Sequence, residues 1–225
     1  METLRFRKKS DEQGASDAPQ NPRRLAFRHE LSNILSSFTM PFIRKTPRRP
    51  SRHLITLSEL GKTNWQVTCD MDNLGLWCRR LDDVEVYLVP VSFACYGWFL
   101  PDGHIYIPSV TGANLCDLIT GHHTRLTDVL RHEWAHALAD RRLRLVESRR
   151  FRSVFGASYD SPHPVWEYHP ELHLTPYAAS MPCEDFAETF HHYLRHKGRL
   201  PLRLKTKTEI VRKWEFIGWM AEQIS

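Results

Sequence analysis

His132, Glu133 and His136 stand in the string HEWAH, and their spacing is the first chemistry the sequence offers. At about 3.6 residues per turn, positions i and i+4 lie one above the other on a helix face. Two imidazoles so placed can share one Zn²⁺, at about 2.0–2.1 Å per nitrogen. Glu133 sits beside the first histidine and can reach a metal-bound water without being a ligand. The same string also fits an amphipathic helix with two half-buried histidines, so it needs a partner. A catalytic zinc takes three protein ligands and keeps one position open. The string Glu184-Asp185-Phe186-Ala187-Glu188 offers two carboxylates at i and i+4. One can bind metal. The other, a turn away, can accept the spare N–H of a ligand histidine and fix its tautomer. An acidic helix start explains Glu184 and Asp185 but makes no use of Glu188. His163, His169 and His173 are alternatives for the third ligand.

The chemistry implied is hydrolysis. Zinc lowers the pKa of a bound water toward about 7 and polarises a carbonyl. Glu133 is then the general base, taking the water proton and delivering it to the leaving amine.

These side chains need elements to hold them. Leu126, Val129, Leu130, Trp134, Ala137 and Leu138 recur at helical spacing and predict a helix over 124–142, capped by Thr124 or Thr127. A second helix is expected over 182–196, with Pro182 in its first turn and Gly198 at its stop. A last helix is expected over 207–223, with Ile210, Trp214, Ile217 and Met220 on one stripe. Between the first two, residues 146–180 read as irregular. Before them, 84–110 is rich in Val, Ile, Tyr and Phe and predicts strands at 84–89, 92–100 and 104–109. Pro101-Asp102-Gly103 reads as the turn of a hairpin joining the last two, because Pro presets φ and Gly tolerates positive φ. Pro108 suggests a sheet edge, where a missing N–H is tolerated. A short helix is expected over 25–38, followed by a basic, Pro-rich linker over 41–52. The fold class expected is α+β.

HEWAHALAD followed by PYAASMPCEDFAETF resembles the gluzincin metallopeptidases, in particular the peptidase domain of anthrax lethal factor and related bacterial zinc-binding metallopeptidases. The resemblance covers residues 104–197. It implies a zincin-like fold: a small mixed or antiparallel sheet with an edge strand, an HExxH helix and C-terminal helices. It implies one catalytic Zn²⁺ held by His132, His136 and Glu184, with Glu188 supporting a ligand. It also implies that Tyr177 helps to bind the substrate oxyanion, and that Asp140 is structural or lies behind a ligand. In zincins an edge strand pairs with the extended substrate, and by the same resemblance that strand is His104, Ile105, Tyr106 and Ile107. The metzincin pattern is absent, since Ala139 and Arg142 occupy its Gly and third-His positions.

Composition narrows the rest. The chain has 225 residues, a formal net charge of +5 and a hydrophobic fraction of 41%, which excludes a wholly disordered, collagen-like or coiled-coil protein. Residues 1–53 carry 12 Lys+Arg against 5 Asp+Glu, whereas 54–225 carry 19 against 21. A basic, largely disordered segment (1–53) attached to a metallopeptidase domain (54–225) is the expected organisation, with an anionic partner suited to the tail. The five cysteines form no CxxC, which argues against a disulfide framework and for a reducing compartment. The N-terminus shows no secretory pattern, and the longest apolar stretch falls about five residues short of a membrane span. The expectation is a cytoplasmic enzyme acting on a peptide or protein, of unknown oligomeric state. Two rival readings stand beside it. One is a nucleic-acid-associated protease of SprT-like type, which would use a third histidine where this chain offers Glu184. The other is a non-catalytic, zinc-stabilised binding module, which would need neither Glu133 nor Tyr177.

Several residues are set aside. His191, His192 and His196 read as a polar helical face, His122 and His123 as loop residues, and Arg149, Arg150 and Arg152 as a solvated surface. Trp134 reads as core. Cys183, beside Glu184, is a thiol within reach of the same metal but reads as inert.

Overall fold

The computed structural model describes residues 2–4, 54–93, 95–112, 124–162 and 167–224. The described residues belong to one compact unit; the expected helix over 25–38 and the basic linker over 41–52 lie outside the described residues. The described chain is a mixed α+β structure with a small mixed sheet. Strand β1 spans Glu2–Leu4, β2 Val86–Ser92, β3 Trp98–Phe99 and β4 Ile105–Thr111, in the sheet order β1-β2-β4-β3. β2 and β4 run parallel, from Val86 opposite Ile105 to Ser92 opposite Thr111. β1 and β3 are antiparallel to their neighbours. The sequence reading assigns no strand to residues 2–4.

Two expectations about this sheet are corrected. The stretch 92–100 is not one strand: Ser92 ends β2, opposite Thr111, and of the rest only Trp98 and Phe99 form a strand, antiparallel to β4 around the expected Pro101-Asp102-Gly103 turn. There Gly103 takes φ 87° and Asp102 Oδ1 accepts from the His104 N–H at 3.0 Å. Nor is His104-Ile105-Tyr106-Ile107 an edge strand. Ile105 and Tyr106 lie between β2 and β3, Ile107 lies beside β2, and His104 precedes β4, its Nδ1 accepting from the Glu85 N–H at 3.1 Å. The strands on the margins are β1 and β3, and β3 is the one beside β4. Pro108 needs no edge strand. The Ile105 N–H points to β2, so by alternation the Pro108 nitrogen points the other way, past the end of β3.

Six α-helices are described. Helix α1 (Leu57–Asn73) is capped by Thr56 and buries Leu60, Asn64, Val67 and Met71. Helix α2 (Leu126–Arg141) carries the HExxH string. Its N-cap is Arg125, without a side-chain cap, instead of Thr124 or Thr127. Helix α3 (Leu143–Val146) leads into the stretch expected to be irregular, which itself contains α4 (Arg149–Phe155), capped by Ser148 and ended by Gly156 at φ 82°. Helix α5 (Pro182–Arg195) starts on Pro182 with Glu184 and Asp185 in its first turn, as expected. Helix α6 (Thr208–Ile224) buries Ile210, Trp214, Ile217 and Met220.

The core lies between the sheet and these helices. Phe151 and Phe155 of α4, Phe186 of α5 and Phe216 of α6 form a cluster with ring centroids 4.5–6.4 Å apart. Such edge-on and stacked pairs contribute about 0.5–1.5 kcal/mol each beyond burial. Trp134 is in the core, its Nε1–H donating to Asn64 Oδ1 at 2.8 Å. This bond explains a buried amide on the α1 stripe and locks α1 to α2. No described helix is long and apolar enough to cross a membrane.

Candidate metal centre

Helices α2 and α5 pack against each other and bring the two motifs face to face. The i, i+4 spacing places the rings of His132 and His136 4.9 Å apart. Their Nε2 atoms approach to 3.2 Å, and Glu184 Oε2 lies 3.0 Å from the first and 3.6 Å from the second. One donor atom from each of these three residues falls within 4.8 Å of the others. On the far side of the His132 ring, Nδ1 meets Glu188 Oε1 at 2.9 Å. One turn of α5 thus puts a carboxylate on each nitrogen of the same imidazole.

The electrostatics suit a cation. Burial pulls the His132 pKa down, but its hydrogen bonds to the Glu184 and Glu188 carboxylates outweigh it and hold it at about 10. Burial pushes Glu184 and Glu188 up, and hydrogen bonding to the histidines carries both below the usual carboxylate range. Two Nε2 atoms and a carboxylate oxygen at these distances could share one positive charge between them. A donor set of two imidazoles and one carboxylate is the set zinc takes in hydrolytic sites.

Glu133 is buried at the edge of this cluster, and burial raises its pKa despite the nearby histidines. The Phe99 backbone N–H of β3 hydrogen-bonds its carboxylate. Gly97 makes that approach possible: a Cβ there would lie 2.8 Å from Ile107 Cδ1, 2.9 Å from Val129 Cγ1 and 3.3 Å from Glu133 Cγ. Tyr177 is 55% exposed, its ring is 5.7 Å from that of His132, and its hydroxyl hydrogen-bonds Glu184. Burial and the Glu184 charge raise its pKa, so it stays a proton donor.

Two groups escaped the sequence reading. The Tyr159 hydroxyl meets His136 Nδ1 at 2.9 Å, so a phenol occupies the second histidine's spare nitrogen. Burial and nearby carboxylates, Asp140 among them, raise the Tyr159 pKa. Asp140 itself pairs with Arg141 at 3.6 Å. Thr175 is the other. Its hydroxyl donates to Glu188 Oε2 at 2.9 Å and accepts from the Ala178 N–H at 3.1 Å. A Thr three residues before the N–H that donates to it is a local cap signal, and Thr175 carried it. Tyr159 carried none, because its role depends on where an irregular segment returns.

Cys183 is buried, with Sγ 4.0 Å from Glu184 Oε1; burial and that charge push its thiol up to about 12. His191 and His192 are not a solvated face, being buried and half-buried. His122, His123 and His163 lie outside the described residues. Comparison with protein-family models, with curated proteins and with solved structures finds no match.

Proposed function

We propose that this protein is a zinc-dependent metallopeptidase of zincin-like build that hydrolyses peptide bonds. The observation that carries the reading is the convergence of His132, His136 and Glu184 within 4.8 Å, with Glu133 buried beside them. These three residues would hold the ion, and Glu188 and Tyr159 would orient its histidines. When bound, zinc supplies a Lewis acid and an acidified water.

The remaining steps belong to the chain. Glu133, its pKa raised by burial, accepts a proton from the attacking water and returns it to the leaving amine. The Tyr177 hydroxyl stays protonated and donates to the oxygen on which negative charge develops. β3 is the marginal strand on the β4 side of the sheet, and Gly97 seats it against Glu133. An extended peptide adding to β3 by main-chain pairing would lay its scissile bond over the base.

The test is Glu133→Gln. The variant should keep one zinc per chain and lose about 10²–10⁴-fold in cleavage of a diverse peptide library. Full cleavage by that variant would remove Glu133 from its role. Failure to take up zinc after reconstitution would remove the site. One bound zinc with no cleavage by the parent chain would favour a zinc-stabilised binding module.

A further inference from the structure

Beyond the three proposed ligands, α5 carries a second convergence. Glu188, His191 and His192 stand at i, i+3 and i+4, and one donor atom of each lies within 4.8 Å of the others. They sit one turn further along the helix than Glu184, on the Nδ1 side of His132. Helix spacing alone brings such residues near one another. More than spacing is at work here. His191 is buried, and its Nε2 lies 3.1 Å from Asp128 Oδ1 of α2. A carboxylate beside one ring nitrogen leaves the other available to a metal, the placement found behind metal-bound histidines. The half-buried His192 ring lies beside that of His191, with ring centroids 4.7 Å apart. Glu188 brings a carboxylate that is already fixed, its Oε1 2.9 Å from His132 Nδ1. Two imidazoles and a carboxylate repeat the donor set of the first site.

We propose that Glu188, His191 and His192 form a second, weaker site for a divalent transition cation such as Zn²⁺, and that filling it slows the first site. It is weaker because Arg131 and Arg195 lie 3.3 Å and 3.9 Å from Asp128, and their charge opposes a second cation nearby. The coupling passes through Glu188, whose two oxygens already serve His132 and Thr175. A cation that takes a Glu188 oxygen draws it from these partners and loosens His132. Excess zinc therefore inhibits by lowering kcat, with KM little changed. The cation site stands on its own geometry, whereas the inhibition rests on the peptidase reading.

The experiment is a Zn²⁺ titration of the full chain by equilibrium dialysis and metal analysis, beside His192→Gln and His191→Gln/His192→Gln. The parent should bind two zinc ions with separated affinities. Both variants should keep the tight one and weaken the other by about tenfold or more. Retention of the tight zinc also shows that the variants fold. If peptides are cleaved, the zinc concentration that halves kcat should rise by the same factor. A parent that binds a single zinc, or variants with an unchanged second zinc, would overturn the proposal. Glu184→Gln separates this outcome from failure of the first site, since it should lose the tight zinc and keep the weaker one.

Discussion

At the scale of the residue, each histidine of the proposed metal site is held from behind by a different chemistry: His132 by a carboxylate, His136 by a phenol. The carboxylate is held in turn by Thr175. Because the same hydroxyl accepts from Ala178, it also fixes the turn Tyr177–Ala179 that carries Tyr177. Thr175 therefore ties the orientation of His132, a proposed metal ligand, to the placement of Tyr177, the proposed oxyanion donor. Thr175→Val keeps the shape and removes the hydroxyl, and should lower zinc affinity or kcat/KM by about 10–100-fold. Thr175→Ser should recover most of that loss, which a purely steric role would not allow. Tyr177→Phe should cost about 10²–10³ in kcat with zinc content unchanged, measured by steady-state kinetics beside metal analysis. The HExxH histidines and both α5 carboxylates were legible because a helix converts spacing into direction. Thr175 and Tyr159 were not, because they reach the site from irregular chain, where spacing fixes no direction.

At the scale of the element, helices α2, α5 and α6 were legible from apolar periodicity and from Pro182 and Gly198 at their ends. Helix α1 was not, since its buried stripe contains Asn64, whose partner Trp134 lies 70 positions away. Strand content was legible from the β-branched and aromatic run, but strand order was not. A strand's sequence reports burial and alternation, and Ile105 and Ile107 are buried whichever strand lies beside them. The order matters because it moves the expected peptide-pairing edge from His104–Ile107 to Trp98–Phe99. Gly97→Ala tests that shift. The added Cβ forces β3 away from Val129 and Ile107, drawing the Phe99 N–H from Glu133. Overpacking of this kind costs about 1–3 kcal/mol. The variant should melt a few degrees lower and lose about tenfold in kcat/KM. A stability loss with unchanged kinetics would separate β3 from the site.

At the scale of the whole molecule, the site depends on a helix that contributes no ligand. Lys213 of α6 reaches inward, is nearly buried, and pairs with fully buried Asp185 at 2.6 Å. Its ammonium also donates to the Leu172 carbonyl and lies 5.8 Å from the Phe155 ring centroid. One cation thus clamps the first turn of α5, next to Glu184, and the segment leading to Thr175. Breaking a buried pair by removing one partner costs about 3–5 kcal/mol, because the other charge is left stranded. Lys213→Met keeps the length and apolar stem and should lower the melting temperature by roughly 10 °C near neutral pH. The loss should depend on pH, with a definite sign. Burial raises Asp185 to about 6 even with Lys213 opposing it, against an ordinary value of 3.8. Asp185 therefore favours the fold while protonated. That contribution is complete below about 3.8 and fades as pH rises through 6. Without Lys213 the folded pKa rises further, so the stranded charge is an expense only where Asp185 must ionise. Thermal melts of parent and Lys213→Met should converge near pH 5 and diverge toward pH 8. Parallel pH profiles would mean that the lysine acts through its apolar stem, and that the ammonium does not clamp the site.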